Sequence, residues 1–458
     1  MPRMKRFACF LALLCLSCFA ATPVLAQGIL RDAETESLLN DMARPLFEAA
    51  GLRPADAKVV LIGDPSVNAF VAGGQIVYVH TGLIDAADSA NEVQGVIAHE
   101  IGHITGGHAV FNRDGGYGGI SILSLLLGAA AMAAGSPEAG TGILMMGQRA
   151  AIGKYLAFSR VQESSADAAG AGYLDKAGIS GKGFLDFFNK LTIDMHRYGY
   201  YATKNQPEID PFSQTHPMSA ERVENLKKDV QSSAAWNKPL DPVMEARFQR
   251  VQAKLRGYVK EPKVTLQRYP LSDQSVAAHY ARAYAYHKSG YPEQAAAETT
   301  ALVKIAPNDP YFLELEGQIL LESGKPREAL APLREATELS HNQPLIAATF
   351  GHALLATEDQ ANLDEAERVL KQAVARDNDN PFAWMNLGTV YDRKGDEPRT
   401  ALATAERSNL MGDARTALMS ARRAMGGLPA GSPDWVRAQD IMMVSQTALD
   451  EEKRKKRN

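Results

Sequence analysis

Glycines recur at a regular spacing in the C-terminal half of this 458-residue chain. Gly317 and Gly351 are 34 positions apart, Gly290 and Gly324 have the same spacing, and Gly388 follows Gly351 after 37 positions. A period of this length is typical of stacked helix pairs, in which each pair buries its apolar face against its neighbours. The repeat therefore constrains this half of the chain to an all-helical array.

The residues around these glycines match the tetratricopeptide pattern. The sequence from Trp384 to Tyr391 has the W-x-x-L-G-x-x-Y signature, with a small residue where paired helices touch. We expect about four units between Gln274 and Met411, with two or three extra residues near Asp359. Arrays of this kind bind peptides or partner proteins on a curved surface, so the repeats predict binding without chemistry of their own.

Residues 1–26 have the features of an export signal. Arg3 belongs to a positive start, residues 7–19 are an apolar run, and residues 24–26 form a small-residue cleavage site. All three cysteines lie inside this segment, so the mature chain could not use disulfides. We expect an exported protein of a bacterial periplasm, and lipid attachment at Cys18 is a second possibility in a poorer sequence context.

Composition narrows the class of protein. The chain is 45% hydrophobic and 22% charged, with a net charge of −4, which excludes collagen, mucin-like and wholly disordered chains. A near-neutral charge argues against nucleic acid as a partner. The export signal, the length and the repeats together predict four segments. They are a signal peptide (1–26), a first domain (27–260), a repeat domain (270–426) and a helical, charged tail (427–458).

The first domain combines a few strand patterns with many helical ones. Residues 58–62 and 75–79 are short β-branched runs bounded by Gly or Pro, which is typical of strands. Residues 34–50 have an amphipathic helical pattern that Pro45 weakens, and nearly everything after Asn91 has helical character. We therefore predict a mainly α domain with a small β-sheet (α+β), followed by the all-α repeats.

The segment His99-Glu100-Ile101-Gly102-His103 carries the clearest chemical signal. On a helix, positions i and i+4 share a face, so both imidazoles can bind one zinc ion while Glu100 lies beside the open coordination position as a general base. The short motif also occurs by chance, so its context decides. It predicts a zinc hydrolase only if a third ligand is present.

A later helical pattern supplies a candidate for that ligand. Glu163 and Asp167 are one helical turn apart, so Glu163 can bind zinc while Asp167 orients an imidazole. An exposed acidic pair is the alternative interpretation of these two residues alone. If the helix that carries His99 and His103 continued to position 108, His108 would point well away from the face that holds the two imidazoles. We therefore interpret His108 as a surface or packing histidine.

Three motifs together resemble the zinc metallopeptidases that include the CAAX prenyl protease and HtpX. They are the His99–His103 segment, then Ser159-Arg160-x-x-Glu163-x-x-Ala166-Asp167, then His216-Pro217-x-x-x-x-Arg222. The resemblance covers about residues 30–230. It implies a zincin-type domain holding one Zn²⁺ per chain, with Glu100 as the catalyst and the zinc ligands His99, His103 and Glu163.

The resemblance also assigns roles to the third motif. From the residues alone, 207–217 is a polar loop punctuated by prolines, and His216 is an ordinary loop histidine. The resemblance implies that His216 lies near the metal, where a histidine can cap the zinc and hold the enzyme inactive. Arg222 would stabilise the site by pairing with Asp167, and either His216 or Arg222 could stabilise the transition state.

The family resemblance, the export signal and the repeats together imply a function. Members of this branch are periplasmic endopeptidases that act in outer-membrane protein assembly and degrade stalled substrates. The expected partners are unfolded outer-membrane proteins and, through the repeats, the barrel-assembly machinery. A chaperone or assembly scaffold with minor proteolysis is the alternative. We expect substrates to pair by main-chain hydrogen bonds with the strand formed by Gln75, Ile76, Val77, Tyr78 and Val79.

An apolar stretch separates the two halves of the predicted metal site. A helix over residues 120–134 would reach about 22 Å, which is short of the roughly 30 Å hydrocarbon core of a bilayer. We expect a helical hairpin over the active site that includes residues 143–146, and peripheral contact with a membrane or partner is the alternative. The basic run 453–457 is expected to be a solvated, frayed end.

Overall fold

The computed structural model describes residues 28–72, 74–108, 160–201 and 216–457. The predicted export signal, the apolar stretch 120–146 and most of the predicted loop 207–217 lie outside these residues. In the described part of the chain, no helix is both long and apolar enough to cross a membrane.

The N-terminal half is a small sheet packed among helices, as predicted. Its elements, in chain order, are α1 (Ala33–Ala49), β1 (Lys58–Ile62), β2 (Ala69–Val71), β3 (Ile76–His80), α2 (Thr81–Ala86), α3 (Ala90–Thr105), α4 (residues 160–177), α5 (Lys182–Tyr201), α6 (Ala220–Ser232), α7 (Pro242–Val259) and α8 (Pro262–Arg268). The predicted strand 58–62 coincides with β1, and β3 begins one residue later than predicted.

The strand order of the sheet is β1-β3-β2. β3 pairs in parallel with β1 and antiparallel with β2, so both of its edges are filled. The expectation that a substrate pairs with residues 75–79 is therefore wrong, because an extended chain needs a free strand edge. β2 lies at one edge of the sheet and contacts α3.

One hydrophobic core joins these elements. α1 begins at the N-cap Asp32, whose carboxylate accepts a hydrogen bond from the Thr35 amide, and it continues through Pro45. Its buried face, which includes Met42 and Leu46, packs against β1 and α3. The same core includes Phe248 and Val251 of α7, so the N-terminal half extends beyond α6.

The C-terminal half consists of consecutive helix pairs, which confirms the predicted all-α array. Its helices are α9 (Val276–Lys288), α10 (Pro292–Ile305), α11 (Pro310–Glu322), α12 (Pro326–Leu339), α13 (Pro344–Ala356), α14 (Leu363–Arg376), α15 (Pro381–Arg393), α16 (Glu397–Leu410), α17 (Ala414–Gly427) and α18 (Pro433–Arg457). Proline occupies the first turn in most of them, where its missing N–H has no partner to lose.

Two of the repeat glycines, Gly317 and Gly351, lie where paired helices touch. A Cβ atom on Gly317 would lie 2.4 Å from Leu333, and one on Gly351 would lie 2.5 Å from Leu370. A larger residue at either position would meet the facing leucine. Gly290 and Gly324 have a different role, because their φ values of +73° and +78° place them in turns that favour glycine, so the regular spacing combines helix contacts with turns. The extra residues near Asp359 form a short 3₁₀ helix, Gln360–Asn362, between α13 and α14.

The array differs from the prediction at its C-terminal end. α17 and α18 form a further helix pair beyond Met411, and α17 packs against α16. The basic run 453–457, expected to be frayed, continues α18, and Lys453 forms an ion pair of 3.3 Å with Asp450 one turn earlier. The alanine-rich contact of α17 lacks the large residues that mark the earlier units, so the pattern did not reveal it.

A buried ionic network joins the two halves of the molecule. The Lys254 ammonium on α7 lies 2.5 Å from Asp32 and 3.5 Å from Glu34. Glu34 also accepts a 2.6 Å hydrogen bond from the hydroxyl of Tyr280 on α9, and it pairs with Arg250. Burial opposes the charge on Lys254, but Asp32 and its neighbours raise the pKa of this lysine well above its ordinary value. The network fixes α1 and α7 against the repeats.

Candidate metal centre

α3 presents two imidazoles on one buried face. The helix begins at Ser89, whose hydroxyl accepts the Glu92 amide hydrogen, and it continues without interruption to Thr105. His99 is fully buried and His103 is 6% exposed. Because they are one turn apart, their Nε2 atoms lie 3.1 Å from each other.

α4 brings a carboxylate to these imidazoles because it packs unusually close to α3. A Cβ on Gly102 would lie 2.6 Å from the carbonyl oxygen of Ala166, and one on Gly170 would lie 3.0 Å from the His99 nitrogen. Glu163 consequently lies 3.4 Å from His99 Nε2 through Oε2 and 3.3 Å from His103 Nε2 through Oε1. The two glycines make this contact between distant segments possible.

His216 completes a group of four candidate ligands. Its Nδ1 lies 3.3 Å from His99 Nε2 and 3.2 Å from both carboxylate oxygens of Glu163. Its Nε2 lies 3.3 Å from the carbonyl oxygen of Ala69 in β2. A hydrogen bond donated to this carbonyl would leave Nδ1 unprotonated, which is the form that binds a metal.

The spacing of the four donors fits a tetrahedral divalent ion. Zn–N and Zn–O bonds of roughly 2.0–2.1 Å separate the donors of a tetrahedron by about 3.3 Å. The distances given above between these donors run from 3.1 to 3.4 Å, and one atom from each residue lies within 4.8 Å of all the others. The residues present therefore fit a metal held by His99, His103, Glu163 and His216.

Asp167 and Arg222 contact the group of four candidate ligands on the side away from the metal position. Asp167 Oδ1 lies 3.0 Å from His99 Nδ1. The Arg222 guanidinium donates two hydrogen bonds to Asp167, of 2.7 and 2.8 Å, and one of 2.9 Å to the carbonyl of Pro217. It also lies 2.9 Å from Glu163. Arg222 thus ties the segment that carries His216 to both carboxylates of α4.

The pKa values of Glu163 and His99 show that this site stabilises positive charge. Burial alone would raise the pKa of Glu163, but the imidazoles of His216, His103 and His99 hold it well below its usual value. Burial alone would lower the pKa of His99, but Asp167 and Glu163 raise it to about 10. Carboxylates that stabilise a protonated imidazole so strongly would stabilise a divalent ion in its place.

Glu100 is a buried carboxyl that lacks a hydrogen-bond donor. Its side chain is fully buried, and neither carboxylate oxygen accepts a hydrogen bond from the described residues. The imidazole of His216 approaches it, with Nε2 at 3.4 Å from Oε1. Because such a carboxyl carries a free-energy cost, it needs a polar partner that arrives with the ligand, such as an attacking water.

The structure shows that His108, interpreted from the sequence as a surface or packing histidine, is a buried packing residue. α3 ends at Thr105, and Gly107 has a φ of +69°, so helical spacing does not apply beyond that point. His108 is 8% exposed, and its Nδ1 lies 2.8 Å from Nδ1 of His103. It therefore orients a proposed ligand, as Asp167 does for His99. The Gly106-Gly107 pair was the sequence signal that the helix ends before His108.

The structure brings most of the predicted site residues together. One cluster contains the residues His99, Glu100, His103, Glu163, Asp167, His216 and Arg222. The strand 75–79 is not part of it. The neighbouring strand β2 contacts the cluster instead, through the Ala69 carbonyl.

Comparisons with known proteins agree with this geometry. Residues 30–230 match Peptidase family M48. The chain is 24% identical over 415 residues to the beta-barrel assembly-enhancing protease of Escherichia coli (strain K12), covering 88% of this chain and 81% of that protein. It is 29% identical over 201 residues to the metalloprotease LoiP of the same organism, covering 43% of this chain and 71% of that protein.

The solved structures that resemble this chain include repeat proteins. One is YrrB, described as a TPR protein with an unusual peptide-binding site, with a TM-score of 0.32 and 22% identity over 39% of this chain and 92% of that chain. The period, the helix pairs and the family match support the same division of the molecule. Residues 30–230 therefore match Peptidase family M48 in sequence, and the chain continues into consecutive helix pairs with the tetratricopeptide period.

Proposed function

We propose that this protein is a zinc-dependent endopeptidase. The observation that carries the proposal is the convergence of His99, His103 and Glu163 at tetrahedral spacing. Beside them lies the carboxyl of Glu100, which accepts no hydrogen bond from the described residues. Bound zinc would polarise the carbonyl of a peptide bond and acidify the attacking water. Glu100 would accept the proton of that water and deliver it to the leaving amine.

The surrounding residues would prepare the ligands for this reaction. The carboxylate of Asp167, 3.0 Å from His99 Nδ1, favours a proton on that nitrogen and leaves the lone pair of Nε2 free for the metal, and His108 Nδ1 lies 2.8 Å from Nδ1 of His103 in a similar position. Arg222 balances the negative charge of Asp167 and Glu163. We therefore assign His99, His103 and Glu163 as ligands, Glu100 as the catalytic base, and Asp167 and Arg222 as positioning residues.

The substrate would pair with the outer edge of β2, which has no strand partner among residues 28–72, 74–108, 160–201 and 216–457. The carbonyl of Asn68 and the amide of Ala72 point toward β3, since they bond to His80 and Ile76. The intervening residues Ala69 and Val71 consequently direct their backbone groups to the opposite edge. An extended peptide hydrogen-bonded there would be recognised through its main chain, which favours unfolded segments and broad specificity.

His216 would hold the enzyme in an inactive state. Its Nδ1 fills the fourth donor position of the cluster, and its Nε2 engages the Ala69 carbonyl at the β2 edge. A substrate needs both positions, so the segment that carries His216 must move before a peptide can bind. This arrangement makes the latent state an intrinsic property of the site.

Replacing His216 with alanine should raise the proteolytic rate severalfold, because the substitution opens a coordination position and a strand edge together. The measurement is the initial rate of casein cleavage, normalised to the zinc content of each preparation. Glu224→Gln, at an exposed position of α6, is the control for a remote substitution. An unchanged or lower rate with zinc retained would contradict the inhibitory role and favour transition-state stabilisation by His216.

The biological setting follows from the relatives and from the predicted export signal. We propose a periplasmic protease of outer-membrane protein quality control, with residues 27–260 as the protease domain, 270–426 as the partner-binding repeats and 427–458 as the tail. Unfolded outer-membrane proteins would be its substrates and the barrel-assembly machinery its partner. The alternative is an assembly scaffold with latent proteolysis, which the position of His216 specifically favours.

Metal removal tests the enzyme proposal directly. Elemental analysis should find about one zinc ion per chain. Treatment with 1,10-phenanthroline should abolish casein cleavage, and added Zn²⁺ should restore it, because the ligands are preformed by packing. Absence of a bound transition metal, or cleavage that survives chelation, would leave the scaffold as the function of the chain.

A further inference from the structure

A large cleft lies between the protease domain and the repeats, and none of the candidate metal ligands lines it. It has a volume of about 990 Å³. One wall is formed by β1 and by residues that precede and begin α1, including Arg31 and Glu36. The other wall is formed by the first helices of three consecutive repeats, α11, α13 and α15. We call it the interdomain cleft.

The interdomain cleft is acidic. Its lining contains six carboxyl groups and two cationic side chains, Arg31 and Lys58. Several of the carboxylates already have a partner: Asp32 pairs with Lys254, Glu36 and Asp377 share Arg31, and Glu322 accepts a hydrogen bond from His287. Among the described residues, Glu314 and Asp379 have no ionic partner. Carboxyl groups outnumber cationic side chains in this lining, so the cleft is acidic.

Glu314 is the more unusual of these two residues. Burial raises its pKa to about 8, with a further contribution from Asp32 and Glu34 that the Lys254 ammonium only partly offsets. A poorly solvated carboxyl without a partner destabilises a folded protein. Repeat packing does not require an acid here, since the equivalent positions of the preceding and following units are occupied by Tyr280 and Ala348. An acid retained at such a position points to an external cation.

Apolar side chains accompany the carboxyls. Leu345, Ala348 and Phe382 line the same wall, and Phe382 is 39% exposed. A surface that alternates apolar and acidic groups along a cleft of this size is complementary to an extended polypeptide with basic and apolar side chains. A lone metal ion would leave most of the cleft and its apolar wall unused.

We propose that the interdomain cleft binds an extended polypeptide segment that carries lysine or arginine, and that Glu314 pairs with one of these side chains. A cation that reaches Glu314 stabilises its ionised form, as Lys254 does for Asp32. Apolar side chains of the segment would contact the wall of α13 and α15. The site lies outside the metal centre, so its binding does not depend on proteolysis.

Binding can be measured with the full chain carrying Glu100→Gln, so that no peptide is cleaved. The probe is a fluorescein-labelled peptide of about a dozen alternating lysine and valine residues, followed by fluorescence anisotropy at about pH 8. We expect Glu314→Gln to weaken binding about tenfold, and Asp379→Asn at the exposed rim to weaken it by a smaller factor. A matched peptide with glutamate in place of lysine should not bind.

The matched control is Glu335→Gln, which removes the same charge from an exposed position of α12 outside the cleft. It should leave peptide binding unchanged. The Glu314→Gln protein should melt at the same temperature as its parent or higher, because an unpaired and poorly solvated carboxyl has been neutralised. A structural role for Glu314 would instead lower the melting temperature.

Two results would overturn the proposal. One is equal affinity of the parent and Glu314→Gln proteins for the basic peptide, and the other is equal binding of the acidic peptide. Asp379→Asn keeps the test decisive even if Glu314→Gln were to fold poorly, because Asp379 is exposed and its replacement leaves the packing intact. Neither result would affect the zinc and casein measurements that test the peptidase.

Discussion

Glu100→Gln should retain the metal and lose about a thousandfold of the proteolytic rate. The amide has the shape of the carboxyl but cannot accept a proton from the attacking water. Glu100 is fully buried and is not one of the four residues that fit the metal, so its replacement should leave zinc binding intact. The measurement is casein cleavage together with the zinc content of the same preparations.

The variant has a matched control in Glu224→Gln, an isosteric change at an exposed side chain of α6. That protein should cleave at the parent rate. Substantial proteolysis by Glu100→Gln with zinc present would remove Glu100 as the base. Loss of zinc from this variant would show that Glu100 has a structural role instead, since the assigned base does not bind the ion.

Glu163→Gln should lose zinc and, with it, all measurable proteolysis. The substitution removes the only carboxylate among the four candidate ligands, and a neutral amide is a poor zinc donor. We expect zinc affinity to fall by more than about a hundredfold. Titration of the metal-free protein with Zn²⁺ against a chelator of known affinity measures this loss.

Asp167→Asn should reduce the zinc affinity by less than Glu163→Gln does, which separates a positioning residue from a ligand. Asp167 contacts His99 from the side opposite the metal, so its replacement should weaken zinc affinity by about 10- to 100-fold, less than the change at Glu163. Full zinc occupancy in Glu163→Gln at micromolar total metal would contradict the assigned ligand set. A larger loss in Asp167→Asn than in Glu163→Gln would reverse the assigned roles.

Local patterns determined much of this protein in advance. The regular glycine spacing predicted stacked helix pairs because glycine recurs at equivalent positions of successive units: Gly317 and Gly351 lie at contacts between paired helices, and Gly290 and Gly324 lie in the turns that join them. The His99–His103 spacing placed two imidazoles on one face because α3 is a regular helix at those positions. Glu163 was a candidate through its helical spacing to Asp167, but only the family resemblance assigned Glu163 and Arg222 to the same site as His99, since no spacing rule connects residues so far apart.

The tertiary structure alone decided the features that depend on which segments meet. Strand order showed that β2, and not β3, has an edge without a strand partner in the described part of the chain, and a sequence pattern contains no information about pairing partners. The end of α3 turned His108 back toward His103, against the helical extrapolation. Glu314 became a candidate binding residue only because α1, α7 and α11 surround it. Periodicity acts within one element, whereas burial and charge pairing arise between elements that packing brings together.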